Sequence, residues 1–179
     1  MSKNIVIVSS SPRAKSNSDV LAQEFCRGAK ESGHTVRTIR LRELDLKFCI
    51  GCMACHDLGK CVIKDSVNEL LPVVADADVL VFATPIYYYE MCGQLKTFLD
   101  RMNPLYGRDN RFREVYVLAT AADGSEEAFD NAFHGVQGWI DCFDGVKLIG
   151  TVRGGGLTDS GEAEGSLAAR QAYQLGLGV

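Results

Sequence analysis

Ser9, Ser10, Ser11, Pro12, Arg13, Ala14, Lys15, Ser16, Asn17 and Ser18 run consecutively, gathering hydroxyls, a carboxamide and an arginine into one short stretch. At the start of a helix, unpaired amides would join them. The set then offers what a phosphate monoester requires, many donors at a favourable dipole end. The same residues equally suit a helix cap followed by a solvated serine-rich turn. In a second stretch, Thr84-Pro85-Ile86-Tyr87-Tyr88-Tyr89-Glu90-Met91-Cys92-Gly93, proline fixes a turn and the tyrosines can present backbone and rings to a flat aromatic ligand. Its alternative is a hairpin-like surface loop with tyrosines packed on neighbouring helices. Neither stretch has the Gly-x-Gly-x-x-Gly of a dinucleotide fold or the Gly-Lys-Ser/Thr of a P-loop, so nothing marks nucleoside triphosphate chemistry.

Cys49-Ile50-Gly51-Cys52-Met53-Ala54-Cys55, followed by Cys61, gives a C-x2-C-x2-C-x5-C pattern. Four thiolates this close can wrap one [4Fe–4S] cubane, and the first three have the spacing of compact clusters. Structural zinc usually divides its ligands between two separated knuckles and is the poorer match. The plain alternative is a loop of reduced thiols, and Val62 stands where ferredoxin-type runs often place proline. Cys26, Cys92 and Cys142 fall on or beside apolar helix faces and read as small buried hydrophobes. His34, His56 and His134 have no metal-like spacing. Gly154-Gly155-Gly156 reads as a flexible loop, with closure over a ligand edge as its alternative.

The elements that must position these loops follow one repeating unit of apolar strand, turn and amphipathic helix. Residues 5–8 are a continuous β-branched run, as a strand buried on both faces of a parallel sheet requires. Further strands are expected at residues 36–41, 79–83, 115–119 and 146–152. Helices are expected at residues 19–31, 93–102, 125–142 and 161–175, with another running from a Ser66 cap to about residue 75, broken or started by Pro72. The cysteine loop, residues 48–62, fits neither period. Right-handed crossovers place helices on both faces of such a sheet. Five units in this length suit a flavodoxin-like three-layer α/β/α sandwich with parallel strand order 2-1-3-4-5, formed by residues 1–179 as one domain.

The chain has 179 residues, 46% of them hydrophobic and 23% charged, enough for a substantial core. A net charge of −4 and a pI near 5.4 argue against nucleic acid or an anionic membrane as the main partner. There is no apolar run long enough to span a bilayer, and the first residues lack the layout of a signal peptide. A reducing cytoplasm is therefore expected, where seven cysteines are not disulfides.

Together the two loops carry a resemblance. Ser11-Pro12-Arg13 with Ser16-Asn17-Ser18 resembles the Ser-Pro-Arg…Gly-Asn-Thr phosphate loop of NAD(P)H-dependent FMN reductases, although Ser16 replaces the family's usual glycine. Thr84-Pro85-Ile86-Tyr87 through Gly93-Gln94-Leu95-Lys96, then Phe98-Leu99-Asp100-Arg101, is similar to that family's flavin-ring loop. By this resemblance Ser9, Ser11, Arg13, Ser16, Asn17 and Ser18 hold the FMN phosphate, while Pro85, Ile86, Tyr87, Tyr88 and Met91 line the isoalloxazine. A weaker match assigns Thr120, Ala121, Asp123 and Gly124, with Ala122 between them, to the pyrimidine edge of the ring. The cysteine loop resembles that of iron–sulfur flavoproteins, a branch of the same superfamily. That branch implies Cys49, Cys52, Cys55 and Cys61 as ligands of a [4Fe–4S] cluster exchanging single electrons with FMN. The implied activity is transfer from NAD(P)H through FMN to a small acceptor, such as a quinone or flavin. No catalytic side chain is demanded, because the cofactor carries the chemistry. Tyr87 and Tyr88 are the residues best placed to position substrate, and a homodimer or homotetramer is expected. The competing readings are an electron carrier working with a ferredoxin-like partner and a non-enzymatic redox or metal sensor.

Overall fold

The computed structural model describes residues 1–179. Its six strands are β1 (Asn4–Ser9), β2 (Thr35–Arg40), β3 (Val79–Tyr87), β4 (Glu90–Met91), β5 (Glu114–Thr120) and β6 (Lys147–Gly154). Apart from β4 they are parallel neighbours in the order β2-β1-β3-β5-β6, which is the expected 2-1-3-4-5 once the short arm β4 is set aside. β4 pairs antiparallel with the end of β3, Ile86 facing Met91 and Tyr87 facing Glu90.

The helices are α1 (Asn17–Glu31), α2 (Ala54–Leu58), α3 (Val67–Ala75), α4 (Gly93–Arg101), α5 (Asp130–Ile140) and α6 (Leu167–Leu177). Alternation along the strands divides the core in two. Ile5, Ile7, Val79 and Val81 pack with Leu21 and Phe25 of α1 and with Ala169 and Ala172 of α6. Val6, Val8, Leu80 and Phe82 face the other way, against residues of α3, α4 and α5. Both faces are covered, which is why the strands read as continuous apolar runs. The architecture is the flavodoxin-like α/β/α sandwich, and it brings the loops after β1, β3, β5 and β6 to one edge.

Several boundaries differ from the sequence expectation. Ser66 makes no side-chain cap; the neighbouring Asp65 accepts from the Val67 amide at 3.1 Å instead. The helix expected over residues 125–142 opens as a 3-10 turn, Glu126–Phe129, and becomes α-helical only at Asp130. α6 starts at Leu167, where Ser166 accepts from the Ala169 amide; the preceding residues, with Gly161 and Gly165 at positive φ, form turns. The cysteine loop contains the short helix α2, flanked by Met53 and Gly59 in left-handed conformation.

Candidate cofactor site

Side chains hold the loop between β1 and α1 together from inside. The Ser9 hydroxyl donates to Asp19 Oδ1, and Arg42 donates to the other carboxylate oxygen at 2.6 Å. Ser10 donates to the Ala83 carbonyl at 2.8 Å, tying the loop to β3. Ser16 caps α1 by accepting from the Asp19 amide at 3.1 Å, and its hydroxyl lies 3.3 Å from that of Ser18. The Ser11 hydroxyl accepts from the Arg13 amide at 3.2 Å.

These bonds leave the loop's amides free. The N–H groups of Ser11, Ala14, Lys15, Ser16, Asn17 and Ser18 donate to no acceptor in the chain, although Ser11, Ser16, Asn17 and Ser18 are buried residues. Buried amides without partners are rare, because each one unmet forfeits a hydrogen bond. Lys15 sits at φ +53°, and a reversal of φ sign turns successive amides toward one side, the geometry of an anion nest. Free donors, the positive end of α1 and Arg13 together match a phosphate monoester. On this observation the residues fit the FMN phosphate.

Beside this loop lies a cavity of about 440 Å³, within the range of small-molecule sites. Of the residues read from sequence, it is lined by Arg13, Ser16, Asn17, Pro85, Ile86, Tyr87, Thr120 and Ala121. Ser9, Ser11 and Ser18 are fully buried and do not line it. Tyr88 and Tyr89 occupy the tip of the β3–β4 hairpin at φ +51° and +62°, and Tyr88 is fully exposed rather than in the cavity. The tip is thus a hairpin, but its tyrosines are exposed rather than packed on helices, while Pro85, Ile86 and Tyr87 face the site. Met91 is buried away from the cavity, in van der Waals reach of Gly135 on α5.

In the loop after β5, the Ala121 amide is occupied by the Gly154 carbonyl at 3.0 Å, whereas those of Ala122, Asp123 and Gly124 have no acceptor. Asp123 accepts from the Ser125 amide at 2.8 Å and from the Tyr89 hydroxyl at 3.2 Å. The Ser125 amide, aided by the Ser125 and Tyr89 hydroxyls, holds this carboxyl below the usual carboxylate range. Gly155 lies so close to Asp123 and Gly124 that a Cβ there would stand 3.0 Å from the Asp123 carbonyl oxygen. Ala122, inside the loop read from sequence, also lines the cavity, whereas the sequence reading missed Leu157 and Thr158. The available signal for the last two was their place just after the final strand, at the carboxyl edge where the other loops converge.

The cysteines are dispersed. Cys49 and Cys52 are exposed, Cys55 is buried and Cys61 is half-buried. Asn103 donates to Cys55 Sγ at 3.1 Å. Cys61 is clamped by Asn68, which binds both its amide (2.8 Å) and its carbonyl (2.9 Å), and Arg101 donates to its sulfur at 3.3 Å. No three His, Cys, Asp or Glu side chains gather around a common centre, so the cysteines in this arrangement do not fit a cluster. Arg101 is nearly wholly buried and paired with buried Asp65 at 2.6 and 2.9 Å. Burial pushes the Asp65 carboxyl up, but Arg101 and the amides of Lys47 and Val67 outweigh it and hold the carboxyl below its ordinary value. Of the remaining cysteines only Cys92 is the buried hydrophobe expected. Cys26 is half-buried and Cys142 is exposed, because α5 ends at Ile140 and carries no further inward face.

The profile of the NADPH-dependent FMN reductase family matches residues 3–142. An iron–sulfur flavoprotein of Methanocaldococcus jannaschii is 30% identical over 73% of this chain and 69% of its own. An iron–sulfur flavoprotein of Methanosarcina thermophila is 25% identical over 84% and 80%. The NAD(P)H:quinone oxidoreductase of Methanothermobacter marburgensis superposes with a TM-score of 0.77 over 99% of this chain and 96% of that one, at 19% identity. No helix here is long and apolar enough to cross a membrane.

Proposed function

The chain belongs to the NADPH-dependent FMN reductase family, and on that footing we propose that it is an FMN-dependent oxidoreductase moving electrons from NADH or NADPH to a small acceptor, a quinone or a flavin. The observation that carries this reading is the cavity where Arg13, Ser16 and Asn17, from the loop of free amides, meet Pro85, Ile86 and Tyr87. FMN, when bound, supplies the redox chemistry, accepting two electrons from reduced nicotinamide and releasing them to the acceptor. The chain's own residues bind and orient. Arg13 and the nest amides take the phosphate. Pro85, Ile86 and Tyr87 form the wall beside the ring. The free amides of Ala122, Asp123 and Gly124 donate to the pyrimidine edge, where they favour the reduced, more electron-rich flavin. Tyr87, half in and half out, forms the rim against which substrate stacks, and the exposed Tyr88 supports a second copy of the chain completing that rim in a homodimer or homotetramer. Residues 1–179 act as one FMN-binding domain in the reducing cytoplasm.

The test is reconstitution. Apoprotein mixed with FMN should quench its fluorescence at one equivalent and then oxidise NADH or NADPH in the presence of a benzoquinone. Absence of flavin uptake overturns the reading.

The names of the relatives favour a second reading, an electron carrier with a cluster on Cys49, Cys52, Cys55 and Cys61. It requires Cys55 and Cys61 to leave Asn103 and Arg101, the partners they hold here. Near-stoichiometric iron and acid-labile sulfide in protein purified without oxygen, with slow NAD(P)H oxidation, would decide for it.

A further inference from the structure

Taking FMN as the occupant of the cavity, we propose that residues 157–163 are a further wall of the cofactor site and that Asn17 serves chiefly as the positioning residue fastening this wall to the phosphate loop. Leu157 and Thr158 line the cavity directly. The segment is pinned at both ends. The Leu157 amide donates to the Ala121 carbonyl at 2.9 Å, and Ala163 is fully buried in the core between α1 and α6. Between those points it touches the phosphate loop through a set of bonds to residues 13–17. Asn17 Nδ2 donates to the Asp159 carbonyl at 2.9 Å, and Asn17 Oδ1 accepts from the Ala163 amide at 3.0 Å. Ser160 donates to the Lys15 carbonyl at 2.5 Å, and Arg13 reaches the Thr158 carbonyl at 3.5 Å. Inside the segment, Glu162 accepts from the amides of Thr158 and Asp159 at 2.6 and 2.9 Å, giving it a fixed shape of its own.

The chemistry of Asn17 separates the two roles it could have. A carboxamide offers one acceptor oxygen and two N–H donors. Here the oxygen and one donor are committed to the wall, and an oxygen is of no use to a phosphate. Asn17 is 2% exposed and lines the cavity, so beyond these two bonds only its second N–H is left for a ligand. A phosphate ligand acts only on the phosphate, whereas a wall fastener acts on whatever part of the flavin the wall covers. Leu157 and Thr158 share their cavity with Pro85, Ile86 and Tyr87, the residues beside the ring.

Riboflavin, which has the ring and ribityl chain but no phosphate, therefore discriminates. FMN and riboflavin affinities are measured by fluorescence quenching on cofactor-free protein for wild type, Asn17→Ala and Ser160→Ala. The wall predicts that Asn17→Ala weakens both flavins by a common factor of about tenfold, the value of one or two lost hydrogen bonds. Ser160→Ala should weaken both by about threefold, although its hydroxyl lies on the surface and touches only the carbonyls of Ala14 and Lys15. Hydrogen exchange of the amides in residues 158–163 should accelerate in cofactor-free Asn17→Ala. Weaker FMN with unchanged riboflavin makes Asn17 a phosphate ligand and overturns the proposal. Wild type that binds FMN but not riboflavin also overturns it, as do unmoved affinities in Ser160→Ala, the variant that decides if Asn17→Ala does not fold. Wild type that takes up neither flavin overturns the oxidoreductase reading itself, a distinct result.

Discussion

Replacing Arg101 with methionine keeps the volume of the side chain and strands the carboxylate it serves. Asp65 accepts four hydrogen bonds, from Arg101 Nη1 and Nη2 at 2.6 and 2.9 Å and from the amides of Lys47 and Val67 at 3.0 and 3.1 Å. Breaking a buried ion pair on one side costs about 3–5 kcal/mol. Two of the four bonds survive, which puts the loss at the lower end, about 3 kcal/mol. For a chain of this size that is a drop in Tm of roughly 6–12 °C, at about 2–4 °C per kcal/mol. The pH dependence sharpens the test. In the wild type the Asp65 carboxyl is held below its ordinary value, so its stabilisation is present above about pH 4, the unfolded range, and is lost as pH falls through the folded value. Without Arg101, the burial that pushes the carboxyl up is opposed only by the amides of Lys47 and Val67, so it titrates higher than in the wild type. The variant's deficit is then full at pH 7 and shrinks as pH approaches 4. Thermal melts followed by circular dichroism at both pH values read this directly. Adding Asp65→Asn to Arg101→Met should recover more than half of the loss. A deficit below about 1 kcal/mol, or one unchanged by pH and by Asp65→Asn, would refute the account, since a pair worth little behaves like an exposed one.

Further outcomes follow from the same geometry. Arg13→Ala should weaken FMN roughly 10–150-fold, the range for a hydrogen bond to a charged group, with little change in the melting temperature of the cofactor-free protein; an unchanged FMN titration would move the phosphate elsewhere. Gly28→Ala places a Cβ 2.2 Å from the Tyr173 carbonyl oxygen, so α1 and α6 must separate. The expected loss is about 1–3 kcal/mol or more in urea denaturation, and a neutral result would mean that the two helices do not touch there. In cluster-free protein a thiol reagent should modify Cys49, Cys52 and Cys142 rapidly and Cys92 only on unfolding, as mass spectrometry of the labelled chain would show; protection of Cys49 and Cys52 would point to an occupied metal site.

What the sequence revealed and what it hid have a common physical cause. Residues 5–8 read as a doubly buried strand because continuous β-branched runs have few other uses, and from such strands the carboxyl edge and its loops follow. Pro85 and Tyr87 could be placed at that edge because they stand at the carboxyl end of a buried strand, which runs on through Tyr87. Tyr88 could not, since its position depends on the two-residue hairpin turn at Tyr88–Tyr89, whose left-handed φ values are unusual for tyrosine. Leu157 and Thr158 were invisible for a different reason: their place is fixed by Asn17 and its neighbours, which lie some 140 residues earlier. Arg101 belonged by resemblance to the flavin-ring loop, yet it serves the cysteine loop, because its partner Asp65 is 36 residues away and no periodicity links them. The cysteine spacing proved a weak guide to arrangement. Spacing sets which sulfurs can meet, while Asn68, Arg101 and Asn103 decide which of them do.

The contact of α1 with α6 also carries a timetable. Gly28 and Gly176 let the two backbones meet, and Ser32 is bonded to the Leu177 carbonyl, 145 residues further along. At about 5–20 residues per second, the ribosome makes that partner roughly 7–30 s after α1. Until then Leu21 and Phe25 have only the sheet to cover them, and α1 is the helix whose first turn opens the phosphate loop. In a nascent chain α1 thus waits for α6, and the helix that opens the phosphate loop gains its full packing only once residues 167–177 have been made.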